Sequence, residues 1–116
     1  MRVGVGTFTY NGTLTVDFED RLLVHLQLVI SAKLRRNESF MFSWTKPVSG
    51  GGGRTSIWID KHLPMAFDYD TSQMPSINRG WVDELMETTY RSAGLQIVPE
   101  SGSVPAAGRD RAKSTA

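Results

Sequence analysis

The chemistry this chain could do starts at Ser49-Gly50-Gly51-Gly52-Gly53-Arg54. A run of four glycines leaves backbone amides open to an approaching group, and the arginine after it can hold an anion through two parallel hydrogen bonds. The pattern is not a phosphate-binding loop, which needs a lysine followed by serine or threonine at the start of a helix. Here Arg54-Thr55 opens a β-rich run, Arg54-Thr55-Ser56-Ile57-Trp58-Ile59. The plainer reading is a long hairpin connection with a solvated arginine. Pro75-Ser76-Ile77-Asn78-Arg79 offers a second guanidinium beside an amide that can direct a hydrogen bond. The candidate ligand-binding residues are therefore Gly50, Gly51, Gly52, Gly53, Arg54, Asn78 and Arg79, with no catalytic residue, metal ligand or cofactor assigned.

Asp60 and His62, with Asp68 and Asp70 nearby, form the other polar cluster. Asp68 and Asp70 share a face if their segment is a strand. A metal site needs three or four convergent ligands, and one imidazole is available here, so solvated turn and edge residues are the expectation. His25 falls at the flank of a helical apolar stripe and reads as a partly buried, hydrogen-bonded histidine. No serine or threonine sits in a nucleophile elbow. The rings of Phe40, Phe42, Trp44 and Trp58 invite base stacking. Strand alternation, however, puts Phe40, Phe42 and Trp44 on one face, opposite Met41, Ser43 and Thr45, which is the pattern of a sheet covered by helices.

The elements that must position these residues are legible in outline. Val5–Tyr10 and Thr13–Phe18 alternate as strands around Asn11-Gly12, a hairpin signal because both residues accept positive φ. A helix is predicted from Asp17, carrying Leu22, Leu23, Leu26, Val29, Ile30, Lys33 and Leu34 on one stripe, with Arg35 and Arg36 at its end and Asn37 as its stop. Strands flank the glycine loop, and Ala66–Tyr69 is a short further one after Pro64. A second helix is expected from Ser76 as its cap, burying Ile77, Trp81, Leu85, Thr88 and Thr89 and ending at Gly94. Leu95–Val98 closes the order β-β-α-β-β-β-α-β. The fold class is α+β, a mostly antiparallel sheet with two helices on one face.

Length and composition bound the rest. The 116 residues suit one domain, taken as 1–100, followed by a Gly/Ser/Ala/Pro/Arg tail at 101–116 expected to be disordered. There is no cysteine, which removes disulfides, thiolate metal sites and cysteine nucleophiles. No apolar run has signal-peptide or membrane-spanning character, so a cytoplasmic protein without membrane partners is expected. Of the 13 basic and 12 acidic residues, three basic ones (Arg109, Arg111, Lys113) and one acidic one lie after Glu100. The body of the chain is near neutral, unlike a dedicated nucleic-acid binder.

Several stretches together resemble a group of small actinobacterial proteins without an established function, some of which carry the label ATP-dependent DNA ligase. These are Gly6-Thr7-Phe8-Thr9-Tyr10-Asn11-Gly12, His25-Leu26-Gln27, Ala32-Lys33-Leu34-Arg35-Arg36, Ser39-Phe40-Met41-Phe42-Ser43-Trp44, Arg54-Thr55-Ser56-Ile57-Trp58, Pro75-Ser76-Ile77-Asn78-Arg79 and Gly94-Leu95-Gln96-Ile97-Val98-Pro99-Glu100. Such a ligase adenylates a lysine in a Lys-x-Asp-Gly motif. The lysines here precede Leu34-Arg35, Pro47-Val48, His62-Leu63 and Ser114-Thr115, so the motif is missing. The leading expectation is a non-enzymatic binding or accessory module with a protein or nucleic-acid partner, its tail adding weak nonspecific attraction to nucleic acid. The competing expectations are a nucleotide-handling, ligase-related protein and a self-associating structural protein that uses an exposed strand beside the loop.

Overall fold

The computed structural model describes residues 4–46 and 51–100. Gly50 and the tail at 101–116 lie outside the described residues. The element order is β1 (Val5–Tyr10), β2 (Leu14–Glu19), α1 (Asp20–Arg35), β3 (Phe40–Thr45), β4 (Arg54–Ile59), β5 (Met65–Asp68), α2 (Arg79–Thr88) and β6 (Leu95–Gln96). This is the α+β order that the sequence predicts, with the strands divided between two three-stranded sheets, β2-β1-β5 and β4-β3-β6. The chain falls into two compact units, Met1–Ser39 with Ile59–Ile77, and Phe40–Trp58 with Asn78–Ala116. Among the described residues, no helix is long and apolar enough to cross a membrane.

In the first unit β1 pairs antiparallel with both β2 and β5. The β1–β2 connection closes on the Tyr10↔Leu14 pair, and Asn11 and Gly12 take φ of 56° and 72° as the hairpin signal requires. Phe8 and Phe67 face each other in register with ring centroids 5.2 Å apart, and α1 covers the sheet with Leu23, Leu26, Val29 and Ile30. The helix begins three residues later than predicted. Asp17 stays in β2 opposite Thr7, whose hydroxyl donates to Asp17 Oδ1 at 3.2 Å, so the strand register outweighs the acidic N-terminal signal there. Asp20 opens the helix instead, its own amide donating to the Gly4 carbonyl.

The end of α1 is as expected. Asn37 takes φ 60° and donates to the Leu34 carbonyl at 3.0 Å, while the Glu38 amide donates to the Lys33 carbonyl at 3.0 Å, the double closure of a Schellman motif. Lys33, almost wholly buried, returns the contact by setting its ammonium 2.9 Å from Glu38 Oε1.

In the second unit β3 lies between β4 and β6, and pairs with β6 in parallel through Phe42↔Leu95 and Ser43↔Gln96. Phe40, Phe42 and Trp44 are buried as alternation predicts, and Phe42 and Trp44 tilt against each other at 4.8 Å. The second helix starts at Arg79 rather than near Ser76. Asn78 is its cap and accepts from the Trp81 amide at 3.2 Å, because an asparagine two residues nearer the apolar stripe takes the role that a serine at 76 would have. Its buried side is Trp81, Val82, Leu85 and Thr88; Ile77 is only half-buried and precedes the helix.

Gly94 does not stop α2, which ends at Thr88. Gly94 takes φ 80° six residues later, and a Cβ there would overlap the Met41 carbonyl oxygen and stand 2.6 Å from its carbon. Glycine is needed at this point for close approach of two backbones.

Three outcomes are expected. Gly94→Ala should lower the unfolding free energy in urea by about 2–4 kcal/mol, combining left-handed backbone strain with overpacking. Gly51→Ala, with φ 101° and nothing within 4 Å, should lower it by roughly 1–2 kcal/mol from strain alone; equal losses would contradict the close-approach account. The Lys33 ammonium holds the Glu38 carboxyl below its ordinary value of 4.5. Because the folded value is the lower, the pair's contribution is present above the ordinary value and is lost as pH falls through the folded one. Urea titrations across the acid range should therefore show a shallower acid limb for Glu38→Gln, and an unchanged limb would contradict the pairing.

Candidate functional site

β3, β4 and β6 carry one polar face. The hydroxyls of Ser43 and Ser56 lie 2.7 Å apart, which fixes both on the same side, and alternation adds Thr45, Arg54 and Trp58. Gln96 stands across from Ser43 in the parallel register and joins them. Ser43 also donates to the Ala93 carbonyl at 2.9 Å, so the turn before β6 hangs from the centre of β3. On this face an open cavity of about 340 Å³ is lined by Ser43, Trp44, Thr45, Arg54 and Gln96, with Ile97 and Pro99 completing its wall.

Arg54 is exposed at the cavity, as the first residue of β4 after the glycine loop. The base of that loop is closed by the Lys46 amide, which donates to the Gly53 carbonyl at 2.8 Å. Gly51, Gly52 and Gly53 take φ of 101°, 70° and 80° with nothing within 4 Å of where a Cβ would stand. Their glycine identity answers to backbone conformation, not to a crowding neighbour. The arrangement can bind: it presents the Arg54 guanidinium, the Thr45 hydroxyl and the Gln96 amide around a concave space, and among the described residues of its lining it sets no nucleophile beside a base.

Asn78 and Arg79 do not line this cavity. Arg79 is exposed in the first turn of α2. Asn78 is committed on both sides of its amide, Oδ1 accepting from the Trp81 amide and Nδ2 donating to Glu100 Oε2 at 3.0 Å. Trp81 Nε1 donates to the Val98 carbonyl at 2.8 Å. The start of α2 thus fixes residues 98–100, next to the Ile97 and Pro99 that wall the cavity. Asn78 acts on the site through that segment.

Sequence reasoning missed Gln96 and the exposure of Trp58. Gln96 enters through a parallel register that no local pattern announces. Trp58 is 54 % exposed on β4, apart from the buried rings of β3. Its alternation with Arg54 and Ser56 was the available signal.

The other polar groups serve the fold of the first unit. His62 Nδ1 lies 3.0 Å from Asp60 Oδ1, which also accepts from the His62 amide at 3.0 Å. These hydrogen bonds hold the Asp60 carboxyl below its ordinary range. The pair is an Asx-type turn, and His62 is 77 % exposed. Asp70 Oδ2 accepts from the Gly4 amide at 2.7 Å. His25 is fully buried with Nδ1 2.7 Å from the Arg21 carbonyl, in line with its expected structural role. Asp20 is buried and accepts from the amides of Asp70 and Thr71, clamping that loop to the start of α1. Burial and the charge of Asp20 push the Tyr69 phenol up to about 12, and Tyr69 donates to Gln27 Oε1. Among the described residues, no group of three His, Cys, Asp or Glu side chains is arranged to hold a metal ion.

No curated protein and no solved structure matches this chain. A family model does, over residues 5–100, a span that contains both sheets, both helices and the cavity. The chain belongs to the family described as a domain of unknown function, DUF7882.

Proposed function

We propose that this protein is a non-enzymatic binding or accessory module that holds an anionic group of its partner on the polar face of β3, β4 and β6. Arg54 supplies the charge, and Thr45 and Gln96 supply direction. Gly51, Gly52 and Gly53 of the glycine loop leave the approach to Arg54 clear. Asn78 positions the cavity wall through Glu100, and Arg79 is a second guanidinium for a larger partner. The observation that carries this reading is an exposed arginine at the rim of a concave space lined by Thr45 and Gln96 beside Trp44, Ile97 and Pro99, with no acidic side chain among the described residues of its lining. Small ligand sites combine such a hollow with a few convergent polar groups. The continuous span of the family match supports treating residues 1–100 as one working domain.

The ligase label of the proteins this chain resembles asks for an adenylated lysine. Lys33 is buried against Glu38, and Lys61 Nζ donates to Asn37 Oδ1 on the first unit. Neither lines the cavity, and Lys46, exposed at the base of the loop, precedes Pro47-Val48 and not the Asp-Gly of the motif, which favours the binding module.

Affinity capture from a native host, run in parallel with wild-type protein and Arg54→Ala and with and without nuclease, tests the proposal. The wild type should retain a partner that the variant loses, while the melting temperature moves by no more than about 3 °C, since an exposed substitution changes stability by roughly 0.5 kcal/mol or less. A variant that keeps the partner, or one whose stability falls as far as its binding, overturns the assignment of Arg54.

A further inference from the structure

Arg54, Ser56 and Trp58 occupy alternate positions of β4 on one face, each roughly 6.6 Å from the next. Trp58 is 54 % exposed, whereas Trp44 and Trp81 are 9 % and 5 % exposed. A large ring on the open face of a sheet, in line with a guanidinium, offers a π-surface and a phosphate contact along one direction. Acidic side chains are kept off these strands. Among the described residues of the second unit Asp83, Glu84 and Glu87 lie on α2, which also carries Arg79 and is followed by Arg91, and Glu100 is tied to Asn78. β3 and β4 and the loop base between them bear only Lys46 and Arg54, both exposed.

From this geometry we infer that the anionic partner is a single-stranded nucleic acid, one base stacked on Trp58 and a phosphate held by Arg54. The inference rests on the anion-binding reading above and adds the base. Arg54 and Trp58 stand about 13 Å apart along the strand, a span that suits successive nucleotides better than one base and its own phosphate. The hydroxyl of Ser56 lies between them and addresses a base or sugar edge, and the amide of Gln96 adds a polar group two strands away on the same face. The near-neutral charge of the body sets the character of the interaction: stacking supplies most of the affinity, and salt weakens it only shallowly. With one or two phosphates neutralised, the slope of log affinity against log salt has a magnitude of about 0.7–1.4.

The test is a titration of the full chain with an oligothymidylate of about 12 nucleotides, within the roughly 4–16-nucleotide site sizes of such surfaces, followed by calorimetry and by tryptophan quenching. Binding should weaken roughly five- to a hundredfold in Trp58→Ala, the loss of one stacked base, and return in Trp58→Phe. Arg54→Ala should weaken it and lower the salt slope. Three parallel arms use thymidine monophosphate, inorganic tripolyphosphate and oligoglutamate. Oligonucleotide binding that ignores Trp58→Ala, or monophosphate binding as tight as the oligonucleotide, overturns the strand inference. Oligoglutamate binding as tight as the oligonucleotide also overturns it and points to an acidic protein. Tripolyphosphate that binds through Arg54 when the oligonucleotide gains nothing from Trp58 leaves the anion site standing without the nucleic acid. No binding in any arm overturns both.

Discussion

The second unit depends on the approach of Gly94 to the backbone of Met41. Only a residue without a Cβ, in a left-handed conformation, lets the turn after α2 come close enough for Leu95 and Gln96 to pair in parallel with Phe42 and Ser43. That pairing is two residues long, and side chains reinforce it. Ser43 holds the Ala93 carbonyl, Thr88 Oγ1 accepts from the Gln96 amide at 2.9 Å, and Leu95 is fully buried. Gln96 and the residues after it then form one side of the cavity, with Arg54 on the other. A packing constraint at one glycine thereby sets the geometry of the surface proposed to bind.

The first unit is held by different means. Its two buried charges each close a junction: Asp20 ties loop amides to the start of α1, and Lys33 meets Glu38 at the end of the same helix. A buried charge is tolerated where its hydrogen bonds or an opposite charge replace water. Both charges are engaged by groups of the fold. The polar face of β3, β4 and β6 differs because its arginine stays exposed at a concave space.

Much of the fold was legible because it follows from local chemistry. Asn11-Gly12 announces its hairpin through two residues that accept positive φ, the stripe from Leu23 to Ile30 announces α1, and Asn37 announces its end. The misreadings arose where tertiary partners chose between equivalent local signals. Asp17 and Asp20 both suit a helix start, and the cross-strand contact with Thr7 keeps the first in β2. Ser76 and Asn78 both suit a cap, and the second reaches the Trp81 amide. Gly94 looks like a helix stop, but its use is a backbone contact with a residue far away in the chain. Division into two sheets was hidden for the same reason, since register and partner choice are not local. Of the candidate site, Arg54 and the loop were readable, whereas Gln96 needed the parallel register and Asn78 needed Glu100 to reveal its positioning role.

Recognition is proposed to happen on the polar face of the second unit. Isotope-edited NMR of the full chain, following the Arg54 Nε–H, the Gln96 side-chain amide and the Ser43 and Thr45 backbone amides as a phosphate-bearing oligonucleotide is added, tests this most directly. Shifts should concentrate on those signals and on the Trp58 indole, with Asp60, Asp70 and Tyr69 unmoved. Shifts centred on the first unit, around Asp20 and Tyr69, would contradict it.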